Sequence, residues 1–297
     1  MRDRHTARTL LAMSLLAVVT LALTQCTTNP ATGKKQLTML STQQEIQIGE
    51  EATPQLLEQG GGPIPSQPIN DYVSQIGRRL VESAVATAYV NKDELRALPW
   101  EFHTLDSEVI NAFALPGGKI FITRGLMAKM TNEAQLAGVL GHEIAHVLAE
   151  HADQRITQAV GLEVLLAVLA GQSDQQWVPA VVGTGGQLYL LRYNRDQEDQ
   201  ADELGVKYMV HAGYDPMGQV QVMQILKQAS GGGGGIEWLQ THPLPENRID
   251  DLKKLIRNNY AYALDNPSYI EGQQRFEQTV LDRLARLPEP QQQQQQP

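Results

Sequence analysis

One stretch, residues 142–146 (H-E-I-A-H), constrains this chain more than any other. It stands in a helical pattern that begins after Asn132, with Gln135 placed as in a capping box, and that runs to about Glu150. Histidines four residues apart on a helix lie about 40° apart around its axis, so both imidazoles face the same way. They can bind one zinc ion, and Glu143 can then reach a water molecule beside the metal.

The surroundings of the two histidines help to distinguish a metal site from an ordinary core. A single histidine on an apolar helix face is more often a hydrogen-bonded core residue than a ligand. Two histidines around a glutamate on an apolar helix reverse that expectation. The apolar neighbours are Leu136, Val139, Leu140, Ile144, Val147 and Leu148. We therefore predict that His142 and His146 bind zinc.

A catalytic zinc ion needs a third protein ligand and an open position for water. His151 is a poor candidate, because on a continued helix it points about 140° away from His146. Its spacing also misses the H-E-x-x-H-x-x-G-x-x-H pattern, so we expect it at the surface or behind the ligands. Glu198 and Asp202 share one face of a helix that begins after Asn194, and they could bind the metal and orient a ligand histidine, respectively. On composition alone, such an acidic pair is more typical of a solvated helix face.

The N-terminal residues have the plan of a secretory signal, with a basic start and an apolar run over 10–23. The basic residues are Arg2, Arg4 and Arg8. Cys26, the only cysteine, stands where a bacterial lipoprotein would be cut and lipidated, although Gln25 is larger than the residue usual before that cysteine. Thr27 in place of an aspartate favours the outer membrane, by resemblance to enterobacterial lipoproteins. The alternative is an uncleaved N-terminal anchor with an incidental cysteine.

The composition narrows the range of functions. With 297 residues, 42% of them hydrophobic, the chain can bury a large core as one main domain, at most two. Its formal net charge of −9, without a basic cluster, argues against a nucleic-acid partner. A single cysteine excludes an internal disulfide, so packing alone must hold the fold together.

The helix and turn signals divide the chain into four segments. We expect a signal peptide over 1–25, a lipidated tether over 26–40, the zinc-binding domain over 41–265, and a C-terminal helix with a disordered glutamine-rich tail over 266–297. A strand over 100–105 and two apolar segments around residues 116–118 (P-G-G) predict a small sheet. The predicted class is α+β and mainly α-helical, with a small β-sheet edge beside the H-E-x-x-H helix.

Two further apolar runs, over 156–170 and 178–191, raise the question of membrane spans. The first contains Glu163 and falls short of the ~20 apolar residues that a span needs. The second is interrupted by Pro179 and by three glycines. We predict that both form buried or surface helices. The five consecutive glycines at 231–235 predict a flexible loop.

Four motifs in one order carry a family resemblance. They are N-A-F-A-L-P-G-G at 111–118, H-E-I-A-H at 142–146, E-D-Q-A-D at 198–202 and T-H-P at 241–243. The chain resembles the HtpX and CAAX prenyl protease family of zinc metallopeptidases, and within it the periplasmic lipoprotein branch of BepA-like and LoiP-like proteases. The resemblance covers roughly residues 27–258 and implies a gluzincin fold, with Glu198 as third ligand and Asp202 behind a ligand histidine.

A mechanism follows from this ligand set. Zinc held by His142, His146 and Glu198 would acidify a water molecule, and Glu143 would act as general base. The negative charge that develops on the oxygen of the tetrahedral intermediate needs a further hydrogen-bond donor. His242 and Arg248 are the candidates. In the family the histidine equivalent to His242 can instead cap the metal and hold the enzyme shut. Substrate would pair as an extended strand with an edge strand formed by Asn111, Ala112, Phe113 and Ala114.

The sequence therefore predicts a lipid-anchored zinc endopeptidase of the bacterial cell envelope. It would be an outer-membrane lipoprotein facing the periplasm, with one Zn²⁺ per chain, and would cleave misfolded or unassembled envelope proteins. Its membrane contact would be the lipid on Cys26, and the outer-membrane assembly machinery is a candidate partner. The alternative is a latched protease fold that assists outer-membrane protein assembly as a chaperone, with little proteolysis.

Overall fold

The fold has the predicted class, because it is mainly α-helical with a three-stranded sheet beside the helix that carries residues 142–146. The computed structural model describes residues 26–38, 40–156, 192–230, 236–243 and 247–290. The predicted signal peptide, the glycine run, the glutamine tail and nearly all of the two apolar runs between 156 and 191 lie outside the described residues. In the parts of the chain that the structure describes, no helix has both the length and the apolar character of a membrane span.

Most elements in the described part of the chain are helices. The helices are α1 (Thr42–Gln59), α2 (Gln67–Thr87), α3 (Lys92–Ala97), α4 (Arg124–Met127), α5 (Glu133–Leu148), α6 (Arg195–His211), α7 (Met217–Ser230), α8 (Trp238–Thr241), α9 (Arg248–Asn259), α10 (Gln273–Phe276) and α11 (Asp282–Leu284). The strands are β1 (Cys26–Thr28), β2 (Lys35–Leu37), β3 (Glu101–Leu105), β4 (Ala112–Leu115) and β5 (Lys119–Thr123).

Side-chain caps fix where the two helices of the site begin. The Gln135 backbone N–H donates to Asn132 Oδ1 at 2.9 Å, at the start of α5. The Gln197 N–H donates to Asn194 Oδ1 at 3.0 Å, and the Asn194 N–H donates to Gln197 Oε1 at 3.2 Å, which completes a capping box at the start of α6. The caps thereby set which residues of each helix face the interior.

The small sheet has the strand order β3-β5-β4, with β3 parallel and β4 antiparallel to β5. Gly117 and Gly118 connect β4 to β5 with φ values of 74° and 86°, a region that favours glycine. Every residue of β4 and β5 is buried. Among the described strands β4 lies at one edge of the sheet, and it packs beside α5.

The helix α5 runs through the centre of the domain, and each of its residues except Val147 is buried. Glycines let two other helices approach it closely. A Cβ on Gly205 of α6 would lie 3.1 Å from the His142 backbone nitrogen, and one on Gly138 would lie 2.9 Å from Cα of Gln219 on α7. The close crossing of α5 and α6 brings the acidic pair at 198 and 202 beside the two histidines.

The predicted tether over 26–40 packs against the end of α5. The strands β1 and β2 form an antiparallel hairpin. Asn29 in its turn is fully buried, and its Nδ2 donates to the Leu148 carbonyl at 3.1 Å, so it satisfies one of the last carbonyls of α5. Further along, the Leu40 N–H donates to Asp153 Oδ1 at 3.4 Å.

Glu150, two residues after α5, joins this contact and carries a perturbed pKa. It has a φ of 54° and accepts a hydrogen bond from the Gln36 side chain. Burial, and then the nearby Asp153 carboxylate, raise the pKa of Glu150 from 4.5 to about 7. The folded protein therefore keeps a proton that the unfolded chain releases, so stability falls as the pH rises from about 4.5 to about 7.

Glu150→Gln removes this charge and keeps a polar side chain in the same place. We expect the variant to be more stable than the parent at pH 8, on the order of 1–3 kcal/mol, which raises Tm by several degrees. At pH 4, where both side chains are uncharged, the two Tm values should agree. Thermal unfolding at the two pH values measures this, with Glu50→Gln on the exposed side of α1 as control. An equal Tm difference at both pH values would contradict the assignment.

The C-terminal residues pack onto the same core. Helix α10, a π-helical turn (Glu277–Leu281) and α11 follow one another directly. Phe276, Val280 and Leu284 are buried in the main hydrophobic cluster. Arg124 Nη2 donates to the Leu284 carbonyl at 3.0 Å, which satisfies a carbonyl at the end of α11.

Candidate metal centre

Four side chains converge at the centre of the domain. His142 and His146 come from α5, Glu198 from α6, and His242 from the position directly after α8. Each offers one donor atom, and these four atoms all lie within 4.8 Å of one another. All four residues are buried. Segments that are distant in sequence thus present one compact set of metal-binding atoms.

The spacing of the donor atoms fits a metal ion. His142 Nδ1 lies 3.0 Å from Asp202 Oδ1, and His146 Nδ1 lies 2.9 Å from His151 Nδ1. The Nε2 atoms of the two rings face each other at 3.0 Å. When both rings carry their proton on Nδ1, two lone pairs oppose each other at that distance, and a cation that binds both removes the repulsion.

The charges of the buried groups fit a divalent cation. Glu143, Glu198 and Asp202 bring three carboxylates into the site. Arg248 Nε lies 2.6 Å from Asp202 Oδ2, and Arg248 Nη1 lies 2.5 Å from Glu198 Oε2. Arg248 supplies one permanent positive charge against these three carboxylates, and buried charges are costly without a partner. An ion such as Zn²⁺ would add positive charge there, with the nitrogen and oxygen ligands that zinc accepts.

The protonation states suit metal binding. Burial opposes ionisation of Asp202, but the adjacent Arg248 charge outweighs it and lowers the pKa of this carboxyl. The pKa of Glu198 is held well below its usual range against the same effect of burial, by His242 and Arg248. Burial keeps the pKa of His146 well below its ordinary value, so its ring is neutral, which is the form that binds a metal.

Glu143 lies beside the donor atoms without a hydrogen-bond partner. It is fully buried, and neither of its carboxylate oxygens has a hydrogen bond within the described part of the chain. His242 Nε2 lies 3.7 Å from Glu143 Oε1. A buried carboxylate is normally hydrogen-bonded, so an unpartnered one beside a metal site is the arrangement expected of a proton-transfer group.

His242 lies on the Nε2 side of the His142 ring, and Asp202 lies on its Nδ1 side. His242 Nδ1 lies 2.9 Å from Glu198 Oε1 and 3.3 Å from His142 Nε2. The Trp238 ring stacks on its imidazole with 4.5 Å between the centroids and 11° between the planes. His242 is thus held against the metal-binding atoms from a short helix.

The same short helix forms hydrogen bonds with the start of the strand predicted to bind substrate. The Trp238 N–H donates to the Ile110 carbonyl at 3.3 Å, and Asn111 Nδ2 donates to Glu237 Oε2 at 3.3 Å. Asn111 directly precedes β4, whose first three residues are Ala112, Phe113 and Ala114. The predicted substrate edge and the short helix that leads to His242 are therefore in direct contact.

A small cavity of about 10 Å³ lies beside β4 and His146. Its lining includes Ala114 and Leu115 of β4, His146 and Tyr193, together with Glu45 and Glu150. A cavity of this volume has room for about one water molecule.

The remaining predicted site residues are placed as follows. Arg248 is buried with its guanidinium fully engaged, because its Nη1 also donates to the Pro243 carbonyl at 3.0 Å. It therefore supports Glu198 and Asp202 from behind. Cys26 lies in β1.

Three site residues were not predicted from the sequence. Tyr193 stacks on His146 with 3.9 Å between the ring centroids, and Gln219 Nε2 donates to Asp202 Oδ1 at 2.9 Å. Trp238 is the third. The available signals were weak: Tyr193 directly precedes the cap of α6, and Trp238 stands four residues before His242, a spacing that places two side chains on one helix face.

Comparisons with known proteins agree with this geometry. The model of peptidase family M48 matches residues 71–256. The chain is 31% identical to the beta-barrel assembly-enhancing protease of Escherichia coli strain K12 over 237 residues, which are 76% of this chain and 46% of that protein. It is 30% identical over 230 residues to the mitochondrial metalloendopeptidase OMA1 of Schizosaccharomyces pombe, with 76% of this chain and 65% of that one covered. The chain thus spans about half to two thirds of the length of these relatives.

Proposed function

Because the chain belongs to peptidase family M48, we propose that it is a zinc-dependent endopeptidase that cleaves unfolded or unassembled proteins. The membership confirms the resemblance that the four motifs carry. The family and the cluster of His142, His146, Glu198 and His242 together support one zinc ion. The observation that supports catalysis most strongly is Glu143, a buried carboxylate beside those donor atoms that has no hydrogen bond within the described part of the chain.

The mechanism assigns a task to each residue of the cluster. His142, His146 and Glu198 would hold the zinc ion, which would supply Lewis acidity to a water molecule and to the peptide carbonyl. Glu143 accepts the proton of the attacking water and delivers it to the amide nitrogen of the leaving chain. Asp202 orients His142 through its Nδ1, and it is itself held by two bonds from the guanidinium behind it.

Substrate binds as an extended strand along β4 in this proposal. Main-chain hydrogen bonds to residues 111–114 would give affinity without demanding a sequence, which suits an enzyme that acts on unfolded chains. The scissile carbonyl would then lie next to the metal-binding atoms and to Glu143.

His242 serves as a latch in this account. Its ring contacts Glu198 and His142, where a fourth ligand would bind, and it faces Glu143. That placement suits a residue that closes the resting site better than one that only stabilises the charged oxygen of the tetrahedral intermediate. Because the short helix before it contacts Ile110 and Asn111, a substrate strand that pairs there competes with the contacts that hold the latch.

The latch also supports a second candidate function. A protein that rests with His242 over its metal site could act as an assembly factor that holds clients and cleaves few of them. The name of the Escherichia coli relative, a beta-barrel assembly-enhancing protease, joins the two activities in that protein. Glu143 favours the protease, since a binding protein has no use for a buried carboxylate that lacks a hydrogen bond among the described residues.

The proposed location is the bacterial cell envelope, with the chain anchored to the outer membrane by a lipid on Cys26 and facing the periplasm. The support is the sequence of residues 1–26, which has the order of a lipoprotein signal. Envelope proteins and the outer-membrane assembly machinery are the corresponding clients and partner. Metabolic labelling with a palmitate analogue tests the anchor, and label that persists in Cys26→Ala would count against it.

Cleavage of unfolded casein by the full chain in detergent tests the function. We expect cleavage that a chelator stops and added zinc restores. His242→Ala should cleave faster, by about tenfold if the latched form is about nine-tenths of the population, because a competent fraction scales the apparent rate. His211→Ala, at an exposed histidine at the end of α6, is the matched control and should leave the rate unchanged. Chelator-insensitive cleavage, or none by either the parent or His242→Ala, would overturn the proposal.

A further inference from the structure

His151 lies behind the metal-binding histidine His146, in a place that a continued helix would not give it. The helix α5 ends at Leu148, and Glu150 takes the left-handed conformation with a φ of 54°. This break turns the chain back, so the His151 ring lies 4.9 Å from the His146 ring at an angle of 69°. His151 is 1% exposed, so it belongs to the interior of the site.

Two hydrogen bonds connect His146 to a side chain of α6 through His151. His146 Nδ1 and His151 Nδ1 lie 2.9 Å apart, and His151 Nε2 lies 2.9 Å from Oε1 of Gln200. Gln200 stands two residues after Glu198 on the same helix and is partly exposed. The chain of atoms therefore begins at a metal-binding imidazole and ends at an amide near the surface.

The positions of the protons follow from the amide oxygen. A neutral imidazole has one N–H donor and one acceptor nitrogen, and an amide oxygen only accepts. His151 must therefore carry its proton on Nε2 to donate to Gln200, which leaves its Nδ1 as an acceptor. His146 must then donate from Nδ1, so the lone pair of its Nε2 faces the metal-binding atoms.

The opposite orientation of the amide would remove the ligand. An NH₂ group in place of the Gln200 oxygen would donate to His151 Nε2, so His151 would donate from Nδ1. His146 Nδ1 would then be the acceptor and its Nε2 would carry the proton. A protonated Nε2 cannot bind a metal, so the state of the amide decides whether His146 is a ligand.

The second ligand histidine is oriented by simpler means. His142 Nδ1 faces the Asp202 carboxylate, which can only accept a hydrogen bond and needs no further partner. A second carboxylate behind His146 would be a fourth negative charge in a cluster that already contains Glu143, Glu198 and Asp202. The neutral pair of His151 and Gln200 fixes the tautomer of His146 without adding that charge.

We propose that Gln200, acting through His151, is a positioning residue that holds His146 in the tautomer that binds zinc. The inference rests on the proposed function in one respect, that His146 is a zinc ligand. It concerns the occupancy of the site, so it can be measured without proteolysis.

Zinc affinity in a double-mutant cycle tests the proposal, with competition by a fluorescent chelator as the readout. Gln200→Met keeps the length of the side chain and removes the acceptor, and we expect it to weaken binding by about 10- to 100-fold, as for other partners behind metal ligands. Gln200→Glu restores an acceptor and should bind zinc like the parent. His151→Asn puts an amide oxygen where Nδ1 accepts from His146, so in that background Gln200→Met should have no effect.

The outcomes separate a tautomer effect from packing. An equal loss from Gln200→Met in both backgrounds, or no loss in the parent, would overturn the proposal. If the parent itself binds no zinc, the metal centre and the proposed function fail with it, whereas a parent that binds zinc without coupling refutes this inference alone. Nitrogen-15 spectra of the metal-free protein give a second readout, should His151→Asn not fold: His146 should carry its proton on Nδ1 in the parent and populate both tautomers in Gln200→Met.

Discussion

Replacing Glu143 with glutamine is expected to slow cleavage of casein by about 100- to 10,000-fold, the usual contribution of a general base. Glutamine has the size of glutamate and no basic oxygen, so the attacking water keeps its place but loses its proton acceptor. Glu143 is not among the clustered donor atoms, so bound zinc should remain at one per chain. Activity and metal content are measured on the same preparation.

The melting temperature of Glu143→Gln serves as a control, because the direction of its change can be predicted. Glu143 is fully buried and has no hydrogen-bond partner within the described residues, so its replacement breaks no hydrogen bond among them. The metal-free Glu143→Gln protein should therefore melt no lower than the parent. Loss of zinc together with activity would show that Glu143 is a ligand, and retention of full activity would exclude it as the base.

Replacing Glu198 with alanine is expected to remove the zinc ion itself. Glu198 provides the carboxylate of the donor cluster, and it is also the group that Arg248 and His242 contact. The loss should exceed the 100-fold that marks the upper end for residues behind a ligand. Competition with a fluorescent chelator gives the affinity, and metal analysis after dialysis gives the occupancy.

The thermal stability should change in parallel. A ligand that binds only the folded state stabilises it by about 4 kcal/mol at 1,000 times its Kd, so added zinc should raise the parent's Tm. That increase should vanish in Glu198→Ala. Glu203→Ala, on the exposed face of the same helix, is the matched control and should keep both zinc and the Tm response. Full occupancy in Glu198→Ala would disprove the third-ligand assignment.

Local signals in the sequence were sufficient for much of this site. Asn132 and Asn194 begin helices as their side chains predict, and the four-residue spacings at 142–146 and 198–202 place each pair on one helix face. The two apolar segments around residues 116–118 were expected in a small sheet, and they form an antiparallel pair of strands there. These features depend on hydrogen bonds and spacings within a few residues, so they can be recognised in a single sequence.

The contacts between distant segments were not accessible in this way. His151 was expected at the surface or behind the ligands, and the structure selects the second because the helix ends at Leu148 and Glu150 turns the chain. The spacing of histidines along an ideal helix contains no information about such a break. The stacking of Trp238 on His242 likewise depends on how a short helix packs, which periodicity does not reveal.

Arg248 shows how a residue's role can change when its partners are known. From the sequence, Arg248 was a candidate hydrogen-bond donor to the charged oxygen of the tetrahedral intermediate. In the structure its guanidinium is divided among Asp202, Glu198 and the Pro243 carbonyl. A guanidinium with these bonds stabilises two buried carboxylates, and we propose that this is its contribution to the site.

We infer that His142, His146 and Glu198 hold one zinc ion beside Glu143. Anomalous diffraction from crystals of the full chain, collected on both sides of the zinc absorption edge, locates that ion. We expect a single strong peak in contact with those three side chains, present in Glu143→Gln and absent in Glu198→Ala. A peak elsewhere in the chain, or no peak from protein that cleaves casein, would contradict it.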